Sequence, residues 1–424
     1  MKSRFCLFTI FLSFIVFSTC TTIKSSQEIS SDVLPITEEQ QTIKDDPDED
    51  VLVKEIEPEK IESEEIELEG LGSLLLTFAG DIMAHNVNFN MSDYSLIYQN
   101  VSNLLLSDDL TFGNLETPVT DSLPLSTYPN FNVHSNYPLA AVHAGFDVFA
   151  LANNHSNDQG IEGIDGTLSV MNNLSPLVYS SGLKKNAEDP FKPVIIEKKG
   201  WKIAFLSVTE IFNAHDSASK RVYYVSPTQA ARTDFLATIS QIKATYQCDI
   251  FILALHSNEP EYVLKESKQK RIWFSQLCAA GVDIVWAHHP HVMQPWETLS
   301  IVDQITRQEK EALIMYSMGN FISGQRYTPN TENPAAIREY TGDSVLLQVT
   351  LNKKKPELSA TMNLEPFLIT NYSERGLGVT VHHLNESYIS SQKGIWKEYY
   401  QSRFNLMHEY LPLLPMKQGT AILE

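Results

Sequence analysis

The feature that most constrains this chain is a train of short apolar runs between residues 74 and 317, most of which end in a polar cluster. The runs at 74–79, 110–113, 148–152, 202–208, 250–255, 284–287 and 313–317 are built from β-type residues. Segments of helical length separate several of them: 94–106 before the second, 161–174 after the third and 265–280 before the sixth. Gly281 stands where a C-cap glycine would end the last of these. Alternation of this kind predicts an α/β sheet with helical covers. Residues 345–351 and 358–364 read as a further pair of strands belonging to a second sheet, and 396–410 as a terminal helix.

Chemistry enters at the strand exits. The first run leads into Gly80-Asp81 and the second into Asn114-Leu115-Glu116. The third gives Asn153-Asn154-His155-Ser156-Asn157-Asp158 and the fifth His256-Ser257-Asn258. The sixth ends in His288-His289-Pro290-His291 and the seventh in Gly319-Asn320-Phe321. A single Asp after a strand is more often a helix cap than a ligand, and His85 and His215 read as loop or surface histidines. Asp, Glu, Asn and His at six exits are harder to assign to chance. In open α/β sheets ligands bind at the carboxyl ends of strands, so these groups can share one face. If the His-x-His exit is extended, His289 and His291 point one way and His288 the other.

A donor set of carboxylate, amide oxygen and imidazole, without thiolate, suits Mn, Fe or Zn and leaves room for two ions. Such a pair can hold an oxyanion and activate a bridging water. A proton donor is then needed for the leaving group, and His155 is best placed for it, with Asn154 beside it binding metal through its amide oxygen. Cys248 and Cys278 each adjoin an apolar run and read as buried free thiols.

Charge divides the chain. Residues 21–70 hold 17 Asp and Glu against four Lys, which is −13 of the chain's −20. That composition reads as an acidic disordered linker, with no basic footprint for nucleic acid. Before it, Lys2 and Arg4 precede an apolar run from residue 5 to 17, too short for a comfortable transmembrane helix but suited to a signal peptide. Phe17-Ser18-Thr19-Cys20 resembles a bacterial lipobox, which would make Cys20 a lipidated first residue; plain secretion is the alternative. The expected organisation is a signal peptide over 1–20, a linker over 21–72, the main domain over 73–370 and an extension over 371–424.

Taken in order, Gly80-Asp81, Asn114-Leu115-Glu116, the run Ala152 to Gly160, His288-His289-Pro290-His291 and Tyr316-Ser317-Met318-Gly319-Asn320-Phe321 resemble the CapA-type capsule synthesis proteins. These are poly-γ-glutamate biosynthesis proteins, related in fold to calcineurin-like metallophosphoesterases, and the resemblance spans residues 73–324. It implies a four-layer α/β/β/α sandwich and a place in the bacterial envelope, anchored in the membrane and facing the periplasm or exterior. It implies that Asp81 and His291 serve a first ion, that Glu116 bridges, and that Asn154, His256 and His289 serve a second. His155 resembles the general acid of the wider superfamily, while Asn153, Glu261 and Asn320 are the expected substrate contacts. Met83 stands where the phosphoesterases carry histidine. The segment from His256 to Tyr262 lacks the family's glycine and has one residue more, which places Glu261 after Pro260. The expected function is action on an anionic capsule or envelope polymer, by hydrolysis or transfer of an amide or ester, with membrane synthetases as candidate partners. A non-catalytic polymer-binding module and a phosphoesterase are the alternatives.

Overall fold

The apolar runs form strands, and the parity of their side chains sets the layering. The computed structural model describes residues 72–353, 360–374, 378–413 and 419–420. The leader, Cys20 and nearly all of the acidic linker lie outside the described residues. The first sheet contains β1 (Leu74–Ile82), β2 (Leu110–Leu115), β3 (Phe146–Ala150) and β4 (Tyr179–Ser181). The second contains β5 (Val194–Lys198), β6 (Trp201–Thr209), β7 (Ile250–His256), β8 (Ile284–His288), β9 (Met293–Val302) and β10 (Glu309–Met318). The chain then returns to the first sheet as β11 (Asn320–Ile322), β12 (Asp343–Lys353), β13 (Ala360–Glu374) and β14 (Gly378–His383), and β15 (Gly419–Thr420) pairs with β9. Strand order is β14-β13-β12-β1-β2-β3-β4 in one sheet, with β11 beside β1, and β15-β9-β10-β8-β7-β6-β5 in the other.

Along β6, β7 and β8, Ile203, Phe205, Ile250, Ile252, Ile284 and Trp286 face one core shared with Leu76, Phe78 and Phe112 of the first sheet. Their alternate neighbours Ala204, Leu206, Phe251, Leu253 and Val285 face a second core beneath helices α6 (Gln229–Tyr246) and α7 (Lys268–Ala279). Both faces are buried, so the strands read as continuous apolar runs. A third core lies on the other side of the first sheet, where Leu115 and Phe149 meet residues of α1 (Asn86–Phe89), α2 (Ser95–Tyr98), α4 (Asn136–His143) and α5 (Gly160–Leu174). The result is the expected α/β/β/α order of layers. The indole of Trp286 donates to the Ala79 carbonyl at 3.0 Å and so stitches the two sheets together.

Three expectations change. Residues 94–106 form two single-turn helices, α2 and α3 (Ser102–Leu105), instead of one helix. Tyr98, Val101 and Leu105 are all buried, and the chain bends between the turns to seat them. The strands after residue 343 do not begin a second sheet: β12 pairs antiparallel with β1, Leu74 opposite Leu351, so that Val345, Leu347 and Val349 extend the interlayer core. The core also shows no break at residue 370, because β13 runs through it, and Ile389 of α8 (Glu386–Ser391) and Tyr399, Tyr400 and Met407 of α9 (Ile395–Tyr410) pack into the interlayer core. Cys248 and Cys278 are buried free thiols.

Candidate metal centre

Strand parity also aims the polar exits. In β7 and β8, His256 and His288 continue the interlayer series of Ile252 and Ala254, and of Ile284 and Trp286, and they sit opposite each other in register. Asn114 and Glu116 continue the series of Leu110 and Phe112. Asp81 pairs in register with Asn114 on one side and Asn320 on the other, after a slip in register between Phe78 and Asp81. A slip of that kind re-aims a side chain at the end of a strand. Both sheets therefore deliver their carboxyl-end groups to one buried place.

Asp81, Glu116 and His291 each present a ligand atom there, all within 4.8 Å of one another and all three residues buried. His291 Nε2 lies 3.7 Å and His256 Nε2 3.8 Å from Glu116 Oε1. The His289 ring lies 5.0 Å from that of His256 and 6.1 Å from that of His291. Buried atoms without a hydrogen-bond partner gather there: Asp81 Oδ2, which has only His291 Nδ1 at 3.3 Å, Glu116 Oε1, both ring nitrogens of His256 and Nδ1 of His289; Asn154 Oδ1 is likewise buried and unpartnered. Unpartnered buried polar atoms are costly, and this many lone pairs together fit a cation.

The electrostatics agree. Burial raises Asp81, but His288 and His291 outweigh it and hold the carboxyl well below its usual range. Glu116 moves the other way, raised by burial and then by Asp81 and Glu261. Burial, followed by the neighbouring histidine, lowers His256 well below its usual value and brings His289 to about 4. Both imidazoles are therefore neutral, with lone pairs free to ligate, near neutral pH.

His288 corrects the sequence reading. It does not face away, since its Nδ1 lies 2.7 Å from Asp81 Oδ1. The assumption of an extended exit fails because His289 and His291 have φ of 107° and 57°, a turn that folds them back onto the site after His288 has already faced it. Parity with Ile284 and Trp286 was the overlooked signal. Asn153 and Asn320, expected to touch substrate, are wholly buried and committed to the protein. Asn153 donates to the Leu115 carbonyl and accepts from the His155 amide; Asn320 Oδ1 lies 3.1 Å from His291 Nδ1, and its amide donates to Ser323, Gln325 and Thr341. They orient ligands and loops, a role their loop-like sequence setting did not disclose.

His155 is buried beside this cluster with Nδ1 2.7 Å from Asp158 Oδ2, and the edge of its ring meets Phe131 at 4.7 Å. Exposed Asn213, absent from the sequence reading, bridges the two histidine-side residues: it accepts from Asn154 Nδ2 at 3.1 Å and lies 3.3 Å from His155 Nδ1. No apolar run flags it, because it sits in the loop after β6. His85 is half-buried, its Nδ1 accepting from the Gly324 amide. His215 is exposed and lines a separate cleft of about 730 Å³ with Phe212 and Tyr224. In the altered segment, Glu259 is drawn inward to buried Lys270 and to Gln294, whereas Glu261 stays exposed. The extra residue is accommodated by anchoring one glutamate and leaving the other at the surface.

A family model described as bacterial capsule synthesis protein PGA_cap matches residues 75–325. The capsule biosynthesis protein CapA of Bacillus anthracis is 30% identical over 312 residues, covering 68% of this chain and 70% of the relative. The PGA biosynthesis protein CapA of Bacillus subtilis (strain 168) is 28% identical over 287 residues, covering 66% of this chain and 68% of the relative. Among solved structures, a hypothetical protein from Thermus thermophilus aligns at 14% identity over 70% of this chain and 98% of that one. The TM-score of that alignment is 0.40.

Proposed function

The chain belongs to the bacterial capsule synthesis protein family, and on that premise we propose that it is a metal-dependent protein of the cell envelope acting on an anionic polymer of the poly-γ-glutamate class. The observation that carries this reading is the buried Asp81, Glu116 and His291 triad with its unpartnered ligand atoms. Asp81 and His291 would hold one divalent ion, Asn154, His256 and His289 would hold a second, and Glu116, whose Oε1 lies 3.7 Å from His291 and 3.8 Å from His256, would serve both. When bound, ions of the Mn, Fe or Zn class supply a positive centre for an oxyanion and lower the pKa of water.

This chain's own residues do the rest. His288 fixes Asp81 from behind and Asn320 fixes His291, so each ligand is oriented by a hydrogen bond to its far side. Asp158 holds His155 by Nδ1, which leaves Nε2 to give a proton to the leaving group of an amide or ester. Hydrolysis and transfer differ only in whether water or a polymer end attacks. A lipid on Cys20 of the lipobox would hold the domain at the membrane surface, on its outer side, within reach of membrane synthetases. No helix among the described residues is long and apolar enough to cross a membrane.

Metal analysis joined to a product screen on γ-glutamyl amides and phosphoesters tests the reading. The purified protein should carry about two transition-metal ions per chain, and Asp81→Ala or His256→Ala should lose metal and product formation together. Full metal occupancy in both variants would refute the ligand set. Polymer affinity without any product would make the domain a binding module.

A further inference from the structure

We propose that Arg338 selects the anionic polymer, by pairing with a free carboxylate next to the bond presented to the metal centre. The inference rests on the polymer reading above and narrows it to one contact. Arg338 belongs to the 3-10 segment Ile337–Gly342. One end of this segment is fastened to the site, because the Thr341 carbonyl accepts from the Asn320 amide and Asn320 in turn orients His291. On the other side, Arg338 Nη1 donates to the Tyr262 hydroxyl at 2.7 Å, and the guanidinium lies 5.2 Å from the centre of the Tyr262 ring. The Tyr262 amide donates to the Pro290 carbonyl, between His289 and His291. Both anchors of the guanidinium thus end on the histidine loop. Its charge is also felt inside: Arg338 helps lower His85, which is influenced more strongly by burial, His291 and His155.

Arg338 is fastened to the histidine loop without an ion pair of its own among the described residues, and the Tyr262 hydroxyl that accepts from it is also hydrogen-bonded to the Glu261 carboxylate. Arg221, Arg232, Arg271, Arg326 and Arg403 each pair with a carboxylate of this chain. Arg338 is exposed and pairs with none among the described residues. With one N–H donated to a tyrosine hydroxyl and the guanidinium carbon near that ring, most of its donors stay available to a ligand. That geometry suits a carboxylate, which a guanidinium can hold through two parallel bonds. A γ-linked glutamate chain offers a free carboxylate beside every backbone amide, so an arginine fastened to the histidine loop would register the bond to be processed.

Titration calorimetry on the full-length, metal-loaded protein tests this, using a γ-linked glutamate oligomer and the same oligomer with its carboxylates converted to carboxamides. Arg338→Gln should weaken binding of the acidic oligomer roughly tenfold or more. Arg338→Lys should recover part of that loss, and both variants should keep wild-type metal content and thermal stability. The carboxamide oligomer should bind weakly and equally to all three proteins. Unchanged affinity of Arg338→Gln for the acidic oligomer overturns the assignment while the polymer reading stands, and so does equal binding of the two oligomers by the wild type. A wild type that binds neither oligomer overturns both.

Discussion

At Glu116 burial, Asp81 and Glu261 all favour the protonated acid, whereas His288 and His291 keep Asp81 ionised although it is equally buried. A cation entering between them favours the ionised form of Glu116, against the shift that burial and its neighbours impose. Metal loading should therefore release protons, and metal affinity should rise with pH until Glu116 ionises without help. The proton count follows from calorimetric titration of the metal in buffers of different ionisation heat; Glu116→Gln should remove that release and weaken binding. His289, at about 4, is already neutral in this range and should contribute no proton. The second residue-scale outcome concerns Asp158. Its carboxylate is bound to His155, not to the triad. Asp158→Asn should leave metal content intact while lowering turnover roughly 10- to 100-fold, by analogy with other outer-shell partners. Equal losses of metal and turnover would make Asp158 part of the metal site.

At the scale of elements, the join between β1 and β11 leaves no room for a side chain. A Cβ on Gly80 would lie 2.2 Å from the Gly319 carbonyl oxygen and 2.7 Å from that of Met318. Both obstacles are backbone, so neither can swing aside. Gly80→Ala should cost about 1–3 kcal/mol or more of stability and should spread Asp81 from Asn320, which are paired in register. Denaturant unfolding reads the first effect and metal stoichiometry the second. A fully stable variant that has lost metal would show that the strand join positions ligands without supporting the fold.

Across the whole molecule, a buried charge cluster ties the last third of the chain to the sheet. Asp343 accepts from Arg326 at 2.8 Å and from Arg403 of α9 at 2.6 Å, and all three side chains are buried. Removing the shared carboxylate strands two cations, so Asp343→Asn should destabilise the fold by about 3–5 kcal/mol. Burial alone would raise Asp343, but the two arginines and Thr370 hold it below its ordinary value. A depressed folded-state pKa means that its stabilisation is complete above the unfolded value near 3.8 and is lost as pH falls through the lower folded value. The pH dependence of stability in this acid range should flatten in Asp343→Asn. For the same reason a chain ending at residue 370 should not fold, since it would lack Tyr399, Tyr400, Arg403 and Met407, all buried. Circular dichroism of that truncation decides between an optional extension and an integral part of the core.

Much of this was legible in the residue order. The seven apolar runs became strands because burial on both faces fills them almost wholly with apolar side chains, with buried exceptions such as Thr77, Thr111 and Ser207, and that pattern needs no partner to be read. The exits were equally visible, since Asp, Asn and His directly after apolar strands have few local uses in such number. Helix α6 was missed because its buried face is only Phe235, Ile239 and Ile242 in eighteen residues. The orientation of each polar group was beyond local reasoning. His288 meets Asp81 across 207 positions of sequence, the two strands lying in different sheets, and only the stacking of those sheets brings them together. Asn153 and Asn320 turned inward because folding left carbonyls and ring nitrogens needing partners at those points. The sequence by itself thus determined which chemistry the chain carries and at which strand ends. The tertiary structure alone decided which of those groups face a shared centre and which hold the others in place, because facing depends on register, turns of positive φ and the packing of one sheet on another.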